Sequence, residues 1–144
     1  MATTKHKAYT AAIASSLTTE LNSLATATAT VASAAIDNTS NLDLYHDLTL
    51  TIATMGVARS AGATVSVYLI PALDGSNYDD TNSTTAELVA VFSLDAATTA
   101  RQSTRRDVPV PPGLFKYFAV NNTGQTLAAS GNLVEYRAHS IETA

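Results

Sequence analysis

The chain contains no cysteine and no tryptophan. Without thiols it cannot build a disulfide framework, a thiolate nucleophile, an iron–sulfur cluster or a thiolate zinc site. Charge is scarce too: Asp, Glu, Lys and Arg make up 14 % of the residues, where about a quarter is usual. The net charge of −4 argues against a protein that holds nucleic acid through its phosphates. Glycine is sparse, with 6 residues spread along the chain, so no glycine-rich loop exists to cradle a phosphate. The Gly-x-Ser-x-Gly elbow of serine hydrolases is missing as well. Long apolar runs are lacking, and nothing approaches the roughly 20 residues of a membrane helix. The basic start around Lys5, His6 and Lys7 imitates a signal-peptide n-region, but residues 11–20 are interrupted by Ser, Thr and Glu instead of forming an apolar core. Synthesis in the cytoplasm is therefore expected, with the product remaining soluble unless it is exported within an assembly.

Two small residue types dominate instead. There are 26 Ala and 22 Thr in 144 residues, and 13 Ser besides. Hydrophobic residues still reach 46 %, enough for a packed core rather than a disordered chain, and the length suits one core.

The first 25 residues have a helical period. Ile13, Leu17, Leu21 and Leu24 fall on one stripe, with Thr10 as N-cap, which predicts a short helix over residues 9–24. The alternation Ala25-Thr-Ala-Thr-Ala-Thr30 then reads either as an extended connector or as a hinge that lets a helical arm dock on a neighbour. Residues 1–30 are thus expected to form an arm and connector, and residues 31–144 a β-sandwich domain.

Beyond residue 30 the period changes to two. Leu42, Leu44, Leu48, Leu50 and Ile52 alternate with polar residues, as a half-buried strand requires; His46 interrupts the inward row, predicting a bulge or a hydrogen-bonded core imidazole. Ala63, Val65, Val67 and Leu69 repeat the alternation. Residues 87–94 are apolar on both faces and suit a central strand. Residues 114–120 and 132–139 complete the clear strands, with weaker ones at 31–37 and 98–108. Turn chemistry separates them at 59–62, 74–77, 109–113 and 121–124. Some seven strands without intervening helices predict a mainly β fold, an antiparallel β-sandwich with Greek-key or jelly-roll connections, in preference to a closed barrel.

Few residues suggest chemistry. His6, His46 and His139 lie far apart in sequence, at no metal-ligand spacing, so neither a metal site nor a cofactor is expected. Asp74, Ser76 and Asp80 are oxygen ligands at even offsets, yet the loop lacks the glycine and terminal glutamate positions of a calcium hand; it reads as a turn with a solvated tip, or secondarily as a weak calcium site. Arg101, Arg105 and Arg106 form the one basic cluster beyond the N-terminus, either keeping an edge strand wet or contacting a protein partner. Residues 109–113 read as a rigid loop more than a proline-rich ligand. The three Asn-x-Ser/Thr sequons are what chance gives in so Thr-rich a chain.

Several segments together carry a resemblance: Leu-Thr-Thr-Glu-Leu-Asn-Ser-Leu at 17–24, Ala-Ile-Asp-Asn-Thr-Ser-Asn-Leu-Asp-Leu-Tyr at 35–45, Val-Tyr-Leu-Ile-Pro-Ala-Leu-Asp-Gly-Ser-Asn-Tyr-Asp-Asp at 67–80, Val-Pro-Val-Pro-Pro-Gly-Leu-Phe-Lys-Tyr-Phe-Ala-Val-Asn-Asn-Thr-Gly at 108–124, and Ala-Ala-Ser-Gly-Asn at 128–132. In this order they resemble the small structural proteins encoded among the virion genes of tailed bacteriophages. The resemblance implies a non-enzymatic head decoration (cement) protein with a jelly-roll fold, a homotrimer at threefold positions on the capsid exterior whose partner is the major capsid protein. No nucleic acid or membrane partner is implied. On that view Lys5, Lys7 and Tyr9 of the arm, with Arg101, Arg105 and Arg106, are the expected contacts to acidic subunits. The competing expectation is a tail-associated or carbohydrate-binding module, for which Tyr45, Tyr68, Tyr78 and Tyr117 are the available stacking residues. A glycoside hydrolase would need a pair of carboxylates that no spacing indicates.

Overall fold

A computed structural model describes residues 3–9 and 11–143. Among these described residues, eleven strands follow one another: β1 (Thr4–His6), β2 (Ala14–Leu17), β3 (Thr28–Ala29), β4 (Ile36–Asp37), β5 (Tyr45–Ile52), β6 (Thr64–Ala72), β7 (Glu87–Ser93), β8 (Arg101–Pro109), β9 (Leu114–Asn122), β10 (Leu133–His139) and β11 (Ile141–Thr143). All pairings are antiparallel. One sheet has the order β2-β10-β5-β8, and the other β3-β9-β6-β7 with β4 also on β9. The outermost strands β1 and β11 pair only with each other, as a short ribbon.

The two sheets bury their facing sides against each other. Leu48, Leu50 and Ile52 of β5, Val134 of β10 and Leu17 of β2 meet Val65, Val67 and Leu69 of β6, Phe92 of β7 and Phe115 and Tyr117 of β9. The alternation expected for residues 63–69, and the strands expected at 114–120 and 132–139, place these side chains inward. A second, smaller cluster lies on the outer face of the β9–β6 sheet. There Ile70, Phe118 and Val120 are covered by Ala32, Tyr68, Tyr78 and Ala86, so the long loop after β6 folds back over its own sheet.

The expected helix over residues 9–24 is absent, and no helix occurs among the described residues; Thr10, its expected cap, lies outside them. Ala14–Leu17 is instead strand β2, paired to β10. A turn follows, in which the amides of Thr18 and Thr19 donate to the Glu20 carboxylate and Ser23 takes a φ of 56°. Leu17 and Leu21 still reach the core, and Leu24 packs against it, while Ile13 is exposed. A segment rich in Ser and Thr gains little from a helix, whereas pairing with β10 satisfies its backbone and buries two leucines. Residues 25–30 are held along β9: the amide of Ala27 donates to Asn121 O, that of Thr30 to Ala119 O, and Ala119 N donates to Thr30 Oγ1.

Other differences have the same character. The strand expected at 31–37 contracts to Ile36–Asp37, with Val31 exposed. β5 begins at Tyr45, leaving Leu42 and Leu44 exposed, since Leu42 adopts a left-handed φ of 51°. Residues 87–93 form an edge strand rather than a central one; Leu88 and Val91 face solvent, and the apolar run reflects only that Ala90 and Phe92 point inward. The arginine-bearing β8 is the outer strand of its sheet.

Candidate functional site

The register of β5, β8 and β10 gathers polar side chains at one end of the β2-β10-β5-β8 sheet. Opposite Tyr45 and His46 on β5 stand Pro109 and Val108 on one side, and His139 and Ala138 on the other. A register shift between His46 and Leu48 opens the ladder there, and Asp107 of β8 takes a φ of 56°. Aspartate tolerates this left-handed region better than most residues. The β1–β11 ribbon leaves from the same end, because β10 passes into β11 after a single residue and the Lys7 amide donates to Ser140 O.

Asp47 is the centre of this cluster. Its buried carboxylate accepts from the Tyr9 hydroxyl at 2.6 Å and from the Asp107 amide at 2.9 Å. It also lies 3.2 Å from His139 Nε2 and 3.4 Å from Arg106 Nε. Burial works against its charge, but the Tyr9 hydroxyl, the Asp107 amide, His139 and Arg106 together hold the carboxyl below its usual range. The same hydrogen bond raises the pKa of the Tyr9 phenol. His139 Nε2 is equally close, 3.2 Å, to the Asp107 carboxylate. Its ring stacks on Tyr45 and meets the edge of Tyr9, with the His6 ring centroid 5.7 Å away. Two imidazoles and two carboxylates thus face one another here, one of each pair buried and one exposed.

His46, one position before Asp47, belongs to the core. Its Nδ1 lies 2.9 Å from Tyr117 Oη, and its ring stacks on Tyr136 at 4.4 Å. Both the bulge and the hydrogen-bonded imidazole expected at this position are present. Burial, aided by nearby His139, lowers its pKa to about 4, so it is a neutral packing group.

The six residues expected to contact a partner are divided by the structure. Lys5 and Lys7 are on or beside the ribbon, with Lys5 Nζ 3.2 Å from Glu142. Tyr9 lies against Asp47 with the Arg137 guanidinium 4.1 Å above its ring, and Arg106 reaches the same Asp47. These four share the ribbon end. Arg105 is elsewhere: its Nε donates to Val91 O at 2.8 Å, and its guanidinium sits over Phe92, bridging the edges of the two sheets. Arg101 is at the far end of β8, bonded to both oxygens of Asp95. Asp95 also receives the fully buried Arg59, whose Nη2 donates to Asp95 Oδ1 at 2.8 Å and to Thr99 O at 3.1 Å, while Nε donates to Asp95 O at 3.0 Å. Hydrogen bonds from Arg101 and Arg59 bring the Asp95 pKa down to about 2.

Elsewhere, the Asp74 loop is a closed turn. Asp74 accepts from the amides of Ser76 and Asn77 and from Asn77 Nδ2, mainly the Asn77 bonds lowering its pKa to about 2. Among the described residues, one cavity of about 100 Å³ lies beside His46 and Tyr136 and another of about 180 Å³ between residues 71–73 and 111–114. Both fall short of the roughly 300–1,000 Å³ of small-molecule sites. The sequence matches no family model and no curated protein.

Proposed function

We propose that this chain is a structural, non-enzymatic virion protein of a tailed bacteriophage, made in the host cytoplasm, that binds the major capsid protein on the exterior of the head and stabilises the shell as a homotrimer. The fold reading beneath this proposal is a jelly roll. Its support is the nested strand order: β2 beside β10 and β5 beside β8 in one sheet, β3 and β4 beside β9 and β6 beside β7 in the other. Viral capsid domains and lectins share that architecture, and fold alone does not choose between them.

The observation that carries the choice is the ribbon. β1 and β11 stand apart from both sheets, every one of their residues is exposed, and each pairs only with the other among the described strands. The outer edge of such a ribbon offers unpaired N–H and C=O groups to which a partner strand can add. Lys5 and Lys7 lie along it, with Arg106 at its base. Contact through this end suits a small, charge-poor protein. The lectin reading has less to rest on: Tyr117 is buried, Tyr45 stacks on His139, Tyr68 on Phe118, and Tyr78 lies under Lys116, leaving none of the four as an open platform for a sugar.

Co-sedimentation with undecorated heads of the same virion tests the proposal. The chain should pellet with the shells, and the double substitution Lys5→Glu and Lys7→Glu should weaken that association while leaving the fold intact. Failure of the unaltered chain to pellet with intact shells, together with binding to a glycan array, would replace the proposal with the lectin reading. A solution mass at the monomer value would remove the trimer.

A further inference from the structure

We propose that His6, Asp107 and His139 form a binding site for one divalent cation of the zinc type, which fastens the β1–β11 ribbon to the body of the sandwich. This goes beyond the capsid-binding reading and does not depend on it. The three side chains each present a ligand atom, and all of these atoms lie within 4.8 Å of one another. Ligands about 2.0–2.2 Å from a tetrahedral zinc ion stand roughly 3.3–3.5 Å apart. His139 Nε2 and the Asp107 carboxylate, at 3.2 Å, are therefore already at the spacing of two ligands on one ion. A His6 ring nitrogen lies within 4.8 Å of both, on a short exposed ribbon.

The supporting groups suit a cation. His139 is buried and its ring is fixed between Tyr45 and Tyr9, so one ligand is held in place. The amide of Asp107 is anchored on Asp47, fixing the backbone of the second. The buried Asp47 carboxylate lies 3.2 Å from the same His139 nitrogen and adds negative potential beside the three ligands. Asp107, half exposed, and His6 leave the remaining side open to solvent. Two imidazoles with carboxylate oxygen and no thiolate favour zinc, cobalt or nickel over the all-oxygen sites of calcium or magnesium. The ligands come from β1, β8 and β10, so the ion would bind the fold's first strand to two strands of the main sheet. Without an ion, the same geometry is that of His139 Nε2 within 3.2 Å of two carboxylates, a contact that asks nothing of His6.

The test uses the full chain without an affinity tag, stripped with a chelator, and titrated with zinc chloride in a calorimeter and with cobalt(II) in an absorption spectrometer. One equivalent should bind, with the visible absorption of tetrahedral cobalt that zinc abolishes. His6→Ala and Asp107→Ala alter exposed residues and should leave the protein folded, yet each should weaken zinc binding at least tenfold and remove the zinc-dependent rise in melting temperature. Absence of stoichiometric binding overturns the proposal, as does binding that survives either substitution undiminished.

Discussion

The two ends of strand β8 hold the molecule's main charge clusters, and they are built in opposite ways. At the Arg101 end, Asp95 is clasped by Arg101 and by an Arg59 side chain with 0 % exposure, and the Arg59 donors are spent on Asp95 and Thr99 within the chain. At the Arg106 end, Asp47 and His139 are buried but the groups around them are not: Arg106 is 66 % exposed and Asp107 50 %, and His6 and Tyr9 arrive from outside the sandwich. The first cluster locks two loops together. The second joins the sandwich to an exposed ribbon and leaves polar atoms facing solvent. Arginine on an edge strand thus serves folding at one end and presents a surface at the other, and the number of donors consumed internally tells the two apart.

The contrast can be broken most forcefully at Arg59. Arg59→Ala removes a buried cation, strands carbonyls that it satisfied and opens a cavity, so about 3–5 kcal/mol should be lost, seen as a fall of roughly 10 °C in melting temperature. The core behind the other end should respond to pH. Burial holds His46 neutral with a pKa of about 4 in the fold against about 6.5 for a free imidazole, so between those values the unfolded chain binds more protons. Its contribution is complete above pH 6.5 and is lost as pH falls toward 4, by about 3 kcal/mol at 1.36 kcal/mol per unit. Denaturant titrations at pH 7 and pH 4.5 should show the loss, and His46→Gln should flatten that part of the profile. Leu21→Ala tests whether the turn after β2 is core. As a fully buried residue it should cost at least about 2 kcal/mol, where a leucine on a detachable arm would cost nearly nothing. The smallest effect belongs to Arg106→Ala: its exposed pair with Asp47 should leave the melting temperature almost unchanged while weakening attachment to heads.

Much of the sandwich is legible in the sequence because strand alternation is a local signal. Val65, Val67 and Leu69 face inward as their period demands, and the break at His46 marks both the bulge and the buried imidazole. The N-terminal segment misleads for a physical reason: Leu17 and Leu21 are four apart, a spacing that a helix satisfies and that a strand followed by a turn satisfies equally once β10 supplies the pairing. Glu87–Ser93 misleads because two-sided apolarity does not say which strands lie beside it. Of the six expected contact residues, Lys5, Lys7, Tyr9 and Arg106 converge on the ribbon end, while Arg101 and Arg105 are engaged within the fold. Arg59 gave no signal, since an arginine in Arg-Ser-Ala-Gly reads as a solvated turn residue. His6, Asp107 and His139 gave none either, because only the pairing of distant strands brings them together.

Under the proposed function, the ribbon end of the molecule is the end that meets the shell. Cryo-electron microscopy of heads incubated with the chain tests this most directly. Added density is expected on the outer surface, with the β1–β11 ribbon, Arg106 and His139 toward the shell and the Arg59–Asp95 end pointing away. Density seated on the Arg59–Asp95 end, or shells that remain bare, would contradict it.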